Sequence, residues 1–455
     1  MQTNIREGQH LERGLERGLG PFGAISANLL NMVGVGPFLT IPLAISAMGG
    51  PQAMVGWVLG AVLCLCDGLV WAELGSAMPA SGGSYCYLKE GFGARTLGQP
   101  MSFLFLWQTL LTGPISIATG AVGFAQYMSF IYPSLPHNAL IAVAVSVCVA
   151  NVFLLYRSIR SIDRISVAMT AIVLATCLWV IVSGALNFHA SKAFDIPPGA
   201  FHMSRAFWSG LGATTLIAVY DYGGYNNACL LGGEIQNPAR NIPRAVIISI
   251  AIVAGLYLLM NLSIIGSLDW HVAERSQAIA ADFMQGLYGR WAGLLISLMV
   301  LVVCFAGVFA NMLGYSRIPY AAAVDGNFFS PFARLHGTGG FPTVSLLFMG
   351  IVSAVACLFS LGDLIKVLIV VQAIFQFAAQ CVAVELMRRR TPKTPGIYRM
   401  PLYPIPAIIA LVGWICIAGS NGVRYVAIGL GMAAAGCGVY LIKAKYEREW
   451  PFAVL

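Results

Sequence analysis

Charge is scarce in this sequence. Only 10% of its 455 residues are charged, whereas 58% are hydrophobic. A soluble domain usually carries about 25% charged residues, so this chain has too little polar surface to cover a water-soluble globule. The net charge of +8 does not indicate nucleic-acid binding, because the basic residues lie in particular loops and therefore report the orientation of the chain in the membrane. The lipid bilayer is the solvent that fits this composition.

Metal-binding and catalytic motifs are also missing from the sequence. The eleven cysteines are scattered singly, mostly in apolar runs, without a CxxC pair or histidines at metal-binding spacing. The six histidines fall in predicted loops or tails, and no intramembrane Ser/His/Asp set or HExxH motif occurs. We therefore predict no metal, no cofactor and no enzymatic activity. The polar N-terminal segment is not expected to be a signal peptide.

Long apolar runs dominate the chain. A membrane-spanning helix needs about 20 mostly apolar residues. The sequence therefore predicts an all-α polytopic membrane protein with twelve spans, near residues 21–47, 51–78, 98–131, 136–156, 162–187, 206–232, 243–267, 289–322, 343–361, 363–387, 402–420 and 422–442.

The distribution of basic residues predicts the orientation of these spans. With the N-terminus inside, twenty of the 26 Lys and Arg residues fall in inside segments and five in outside segments. Inside loops of membrane proteins carry the excess of positive charge. We therefore expect a multi-pass protein of the cell membrane with both termini in the cytoplasm.

Two of the predicted spans contain sequences that interrupt a helix. The first has Gly34, Gly36 and Pro37 at its middle, and the sixth has Gly223 and Gly224 among aromatic, acidic and amide residues. Glycine costs backbone entropy in a helix, and proline removes a hydrogen-bond donor. Unwound backbone at membrane depth is tolerated only inside protein or beside a cavity. Breaks in the first and sixth spans are expected of two five-helix repeats with inverted topology.

Broken helices of this kind offer backbone groups to a ligand. The half-helix after Gly36 begins with free N–H groups, which suit a carboxylate. The carbonyl groups near Asn31, Tyr220 and Gly223 carry partial negative charge, which suits an ammonium group. A site with both poles fits an α-amino acid.

Three parts of the chain carry a resemblance to a known family. They are residues 34–38 in the first span, residues 72–85 after the second, and residues 222–226 with 233–243 after the sixth. Over about residues 20–400 the chain resembles the amino acid–polyamine–organocation transporter superfamily. The resemblance implies the leucine-transporter-type fold, a 5+5 inverted repeat plus two further helices, with alternating access. The implied divisions are an N-terminal tail at 1–20, repeats at 21–187 and 206–387, helices eleven and twelve at 402–442, and a C-terminal tail at 443–455.

The resemblance also implies which residues contact the substrate. Val35 and Gly36 would meet its carboxylate, and the carbonyl groups of Tyr220 and Gly223 would meet its amine. Tyr220 stands where the family has an aromatic gate. The other implied contacts are Asn31 and Asn226 in the broken helices and Pro114, Ile117 and Ala118 in the third span. The small or apolar side chains in the third span favour a neutral substrate.

The sequence departs from the family at two places that serve ion coupling. Proton-linked branches often have a lysine midway along the fifth helix, where this chain has Val173. Sodium-coupled relatives place hydroxyl groups on the eighth helix, and residues 306–311 here contain no Ser or Thr. We therefore expect that sodium is not the coupling ion.

Ionisable and amide residues inside the spans are candidates for function, because a charge at bilayer depth is costly. Asp221 borders the sixth-helix break and would hold a substrate ammonium group, bind a coupling proton, cap the second half-helix or pair with a neighbouring helix. Asp67 lies in the second span, where it would titrate or accept internal hydrogen bonds. Gln372, Gln376 and Gln380 share a face of the tenth span, which predicts a water-lined face or interhelical hydrogen bonds.

Three functions stay open from the sequence. The first is a carrier of amino acids, working as an exchanger, a proton symporter or a uniporter. The second is a carrier of polyamines or other cationic amines, and the third is an amino acid sensor of the same fold that does not transport. Each implies a small-molecule substrate and a lipid bilayer, without nucleic acid, and is compatible with a homodimer.

Overall fold

The computed structural model describes residues 15–34, 36–157, 159–337, 339–390, 396–420 and 423–452. Helices dominate these residues, and the β-contacts among them are isolated bridges. We number the helical elements in chain order. They are α1a (Pro21–Met32), α1b (Gly36–Leu39, continuing as Ile41–Met48), α2 (Met54–Ala77), α3 (Gly98–Ile131), α4 (His137–Leu155), α5 (Ile159–Leu186), α6a (Arg205–Tyr222), α6b (Asn227–Leu230), α7 (Pro238–Ser267), α8 (Arg290–Tyr315), α9 (Thr343–Ala356), α10 (Leu361–Arg390), α11 (Ile405–Ser420) and α12 (Val423–Glu447).

These elements agree with the twelve predicted spans. Within the described residues, nine helices are long and apolar enough to cross a membrane. Two further apolar helices, α9 and α11, are shorter, and α6 is divided by its break. The predicted all-α polytopic membrane fold is therefore confirmed.

Local sequence signals explain where several helices begin. Ser204 precedes α6a, and its side chain accepts a hydrogen bond from the backbone N–H of Phe207 at 3.2 Å. Ser360 caps α10 in the same way, accepting from Asp363 N at 3.3 Å. Such caps satisfy N–H groups that the first turn leaves unpaired. Pro238 opens α7, where its missing N–H costs nothing.

The packing follows the internal repeat. α2 packs along α7, α3 packs along α8, and α4 packs against α9. In each pair the second helix stands five places after the first, as expected for two repeats related by an internal two-fold axis. Of the two other pairs of this kind, α1 and α6 also make contact, and they carry both breaks.

Buried ion pairs join segments that are distant in sequence. Arg317 donates to both carboxylate oxygens of Glu234, at 3.0 and 2.9 Å, and the two side chains are only 3% and 1% exposed. Arg388 makes a second two-pronged pair with Glu73, at 2.6 and 2.5 Å. Two-pronged arginine–carboxylate contacts are among the strongest hydrogen-bonded pairs. They tie the chain after α6b to the end of α8, and α2 to α10.

Replacing Glu234 by glutamine is expected to lower the free energy of unfolding by about 3 kcal/mol, because Arg317 is then buried without a counter-charge. Unfolding in mixed detergent micelles, followed by circular dichroism, measures the change. The matched control is Glu385→Gln, because Glu385 and its partner Arg389 are 37% and 74% exposed. An exposed pair of this kind contributes about 1 kcal/mol or less. If the two variants lose the same free energy of unfolding, the buried pair of Glu234 and Arg317 does not stabilise the protein more than the exposed pair.

Candidate functional site

The first break lies between α1a and α1b. Met32 ends α1a, Val33 and Gly34 are not helical, and Gly36 begins α1b. The carbonyl oxygen of Met32 accepts a hydrogen bond from Tyr257 Oη of α7 at 2.7 Å. A carbonyl that the helix end leaves unpaired is thus satisfied by a side chain, as buried backbone groups require.

The second break lies between α6a and α6b. α6a ends at Tyr222, four residues form turns, and α6b begins at Asn227. Asn227 Nδ2 donates to the carbonyl oxygens of Ala27 at 3.0 Å and Ala310 at 3.2 Å, which fastens α6b to α1a and α8. The predicted interruptions of the first and sixth helices are both confirmed.

The two breaks touch each other at two glycines. A Cβ atom built on Gly224 would lie 2.9 Å from the backbone carbonyl carbon of Asn31, and one built on Gly36 would lie 2.0 Å from Asp221 Oδ1. Real Cβ atoms essentially never approach other heavy atoms within 3.0 Å. Gly224 also has a φ of +106°, a conformation that favours glycine. Glycine is therefore required at Gly224 for the breaks to meet, whereas a side chain at Gly36 would force the carboxyl group of Asp221 to move.

A cavity lies between the breaks and is bordered by α3, α8, α10 and α11. Six of the predicted substrate contacts line it, namely Asn31, Gly36, Tyr220, Asp221, Gly223 and Asn226. Val35 lies outside the described residues. The structure thus brings these six residues together around one cavity. That they contact a substrate stays a prediction.

α3 turns a different face to the cavity from the one expected. Pro114, Ile117 and Ala118 are buried within the protein and do not line the cavity. The lining residues of α3 are Ser116, Thr119 and Gly120. Successive residues of an α-helix are rotated by about 100°, so the neighbours of a lining residue point elsewhere. The resemblance indicated how deep in the membrane the site lies along α3, but not which side of α3 faces it. The spacing i, i+3, i+4 of Ser116, Thr119 and Gly120 places these three small residues on one face of the helix.

Polar residues of α8 and α10 complete the cavity wall, and those of α8 were not identified from the sequence. They are Asn311, Tyr315 and Gln372. Ser116 Oγ donates to Asn311 Oδ1 at 2.8 Å, and Gln372 Nε2 donates to Tyr315 Oη at 3.0 Å. This wall offers hydroxyl and amide groups, which recognise a ligand by hydrogen bonding without charge.

The glutamine row of α10 divides between the two predicted roles. Gln372 lies on the cavity, as the water-lined prediction requires. Gln380 Nε2 donates to Ser84 Oγ at 3.0 Å, and Gln108 Nε2 lies 3.5 Å from Gln376 Oε1, which are interhelical contacts. A wider, π-helical turn at Ala373–Phe377 follows Gln372 and contains Gln376.

Asp67 lies directly behind the cavity wall. Tyr225 Oη donates to its Oδ2 at 2.6 Å, and Trp414 Nε1 donates to its Oδ1 at 3.0 Å. Both donors line the cavity, whereas Asp67 is completely buried and does not. The carboxyl group thus links α2 to the α6 break and to α11. Its participation in proton coupling stays a prediction.

Known proteins resemble this chain over most of its length. The sequence profile of a family described as "Amino acid permease" matches residues 19–429. The chain is 26% identical over 419 residues to "Cationic amino acid transporter 4" of Mus musculus, an alignment that covers 87% of this chain and 64% of that protein. It is 25% identical over 427 residues to "Serine/threonine exchanger SteT" of Bacillus subtilis (strain 168), covering 90% and 92%. It is 27% identical over 341 residues to "Large neutral amino acids transporter small subunit 2" of Rattus norvegicus, covering 73% and 63%.

The matches cover different shares of the relatives. The chain spans less than two thirds of the length of the mouse and rat relatives, and nearly all of the length of the bacterial one.

The family profile covers both broken helices and the helices that border the cavity. The family and these relatives are transporters, so the prediction that the chain is not an enzyme is confirmed. The chain therefore belongs to the amino acid permease family, within the amino acid–polyamine–organocation superfamily.

Proposed function

We propose that this protein is a membrane carrier of amino acids that works by alternating access. The observation that carries the proposal is the cavity at which the breaks of α1 and α6 meet, in a chain of the amino acid permease family. Discontinuous helices that meet at a cavity are the typical substrate site of transporters built from inverted repeats. In this proposal, residues 21–187 and 206–387 form those repeats, and residues 402–442 form two further helices. The protein lies in the cell membrane, and both of its tails are in the cytoplasm.

The substrate lies between the two half-helices in this proposal. Its carboxylate meets the backbone at Val35 and Gly36, where α1b begins. Its ammonium group meets the carbonyl side of the α6 break at Tyr220 and Gly223, with Asn31 close by. The aromatic ring of Tyr220 covers the substrate as a gate.

A neutral amino acid is our first choice of substrate class. The cavity wall formed by α3, α8 and α10 carries hydroxyl and amide groups, and Asp221 is the carboxylic acid that lines the cavity. A cationic amino acid or amine is the second choice, because that carboxyl group favours positive charge. The names of the relatives refer to serine and threonine, large neutral and cationic amino acids, so both classes occur among them.

A screen for ligands tests the function. The purified protein is heated with single amino acids and amines, because a ligand that binds only the folded state raises the apparent stability. Ligands found in this way are then offered to proteoliposomes that contain the protein. Uptake above that of empty liposomes supports a carrier. Binding without uptake supports the sensor, and binding of amines alone supports the polyamine carrier.

Replacing sodium by choline is expected to leave the uptake rate unchanged. Sodium prefers oxygen ligands, and residues 306–311 of α8 supply no hydroxyl group. In addition, a Cβ atom on Gly307 would lie 3.1 Å from the Cα atom of Gly34, so α8 packs closely against the first break. Initial rates in proteoliposomes with equal osmolarity measure the effect. A strong fall in the uptake rate when choline replaces sodium would contradict the sodium-independent mechanism.

A further inference from the structure

The two buried carboxyl groups near the cavity have different hydrogen-bond partners. Both oxygens of Asp67 accept a hydrogen bond, from Tyr225 and from Trp414. An indole N–H can only donate, so the oxygen facing Trp414 must accept. Two donated hydrogen bonds suit an ionised carboxylate.

Asp221 has the opposite surroundings. Its Oδ1 is buried without a hydrogen-bond partner, and its Oδ2 contacts Thr40 Oγ1. The same threonine hydroxyl lies 2.9 Å from the carbonyl oxygen of Gly36, which can only accept. A hydroxyl group has one proton to donate, so Thr40 can donate to the Gly36 carbonyl oxygen or to Asp221 Oδ2 but not to both. Thr40 is thus the one side chain that contacts this carboxyl group by a hydrogen bond among the described residues, and it supplies at most one proton to the two oxygens.

A proton on Asp221 accounts for its unpartnered oxygen. A buried carboxylate that lacks partners carries a large desolvation cost, and such a group becomes neutral instead. Within the described residues, no Lys, Arg or His side chain forms an ion pair with Asp221. The titratable side chains that face Asp221 from α6 and α7 are the phenols of Tyr220, Tyr222 and Tyr257. Two more phenols, those of Tyr225 and Tyr315, lie on the cavity wall.

We infer that Asp221 holds a proton while the cavity is empty and exchanges it for the ammonium group of the substrate. The O–H bond of the carboxyl group breaks and the proton leaves to water. The ammonium group keeps its own protons and pairs with the carboxylate that remains, in addition to the carbonyl groups of Tyr220 and Gly223 that the proposed function assigns to it. The inference rests on the proposed function for the class of ligand, and it adds that binding one ammonium group releases one proton.

Such an exchange makes substrate affinity depend on pH. Protons compete with the ammonium group for Asp221, so the affinity falls by up to about tenfold for each pH unit below the range in which Asp221 ionises. The substitution Asp221→Asn removes the competing proton together with the counter-charge. We expect this variant to bind at least tenfold more weakly at neutral pH and to lose the pH dependence.

Infrared spectroscopy tests the proton without any ligand. A protonated carboxyl group has a C=O stretching band that is separate from the bands of a carboxylate. We expect this band in the ligand-free wild-type protein and its loss in Asp221→Asn. The matched control, Asp67→Asn, removes a buried carboxyl group that is expected to be ionised, so the band should persist. Thermal unfolding and gel filtration establish that both variants are folded.

Calorimetry tests the exchange. L-Serine, L-leucine and L-arginine are titrated into the wild-type protein in two buffers of different ionisation enthalpy, which gives the number of protons released on binding. We expect one proton for the wild type and none for Asp221→Asn. A band that persists in Asp221→Asn, or binding to the wild type without proton release, would overturn the inference. If none of the three amino acids binds the wild type, the proposed function fails, and the infrared band still decides whether Asp221 is protonated.

Discussion

Replacing Gly224 by alanine is expected to weaken amino acid binding by at least 100-fold. The backbone of Gly224 has a φ of +106°, where a residue with a side chain pays about 1–3 kcal/mol of strain. The added Cβ atom would also lie 2.9 Å from the backbone of Asn31, which cannot rotate away as a side chain could. Relief of this overlap separates the two breaks and distorts the cavity between them.

The adjacent glycine supplies a matched control for this prediction. Gly223 has a φ of −59°, which any residue adopts, and a Cβ atom there would lie 3.1 Å from the carbonyl oxygen of Tyr220. We expect Gly223→Ala to lose less than tenfold in affinity. Binding constants from calorimetry compare the two variants, and equal constants would show that the approach of Gly224 to Asn31 does not shape the site.

Replacing Gly36 by alanine is expected to destabilise the protein by about 1–3 kcal/mol, as overpacking of a tight interior does. The new methyl group would lie 2.0 Å from Oδ1 and 2.8 Å from Cγ of Asp221, so the carboxyl group must leave its place. The loss should shrink when Asp221 is itself alanine, because the obstructing atoms are then gone. The two residues are therefore expected to be coupled in a double-mutant cycle.

Thermal unfolding of four proteins measures this coupling: wild type, Gly36→Ala, Asp221→Ala and the double variant. Gly255→Ala is the control for a glycine-to-alanine change, because Gly255 lies in α7 and a Cβ atom there meets nothing within 4 Å. We expect that control to be neutral or stabilising, since alanine is the better helix former. Additive losses from the Gly36 and Asp221 changes would contradict their contact.

The breaks could be predicted because they depend on local sequence. Glycine and proline oppose a helix through their own backbones, wherever the rest of the chain lies. Their occurrence in the first and sixth apolar runs then indicated the repeat and the place of the cavity. The same reasoning did not distinguish Gly223 from Gly224, because that distinction depends on how close Asn31 approaches in the folded protein.

The wall of the cavity could not be predicted in the same way. The rotation of α3 about its axis is set by the helices around it, and an error of one residue moves a side chain by about 100°. Ile117 and Ala118 were therefore expected in place of Ser116 and Thr119. Asn311 of α8 joins Ser116 across 195 positions of sequence, a pairing without a local signal.

The hydrogen-bond partners of the buried acids show the same limit. Asp67 and Asp221 stood out in the sequence because charge inside an apolar run is unusual. Their different surroundings come from distant residues, since Trp414 lies 347 positions from Asp67 and Thr40 lies 181 positions from Asp221. Burial of an acid is thus visible in the sequence, whereas its protonation depends on the folded contacts.

The measurement that tests the central claim most directly is exchange of labelled amino acids across proteoliposome membranes. Vesicles with the wild-type protein, with Gly224→Ala or without protein are loaded with unlabelled L-serine, L-leucine or L-arginine, and accumulation of the labelled compound is followed. We expect accumulation of at least one amino acid with the wild type, and none with Gly224→Ala or with empty vesicles. Wild-type vesicles that accumulate no amino acid, or a Gly224→Ala variant as active as the wild type, would contradict an amino acid carrier whose site lies between the two broken helices.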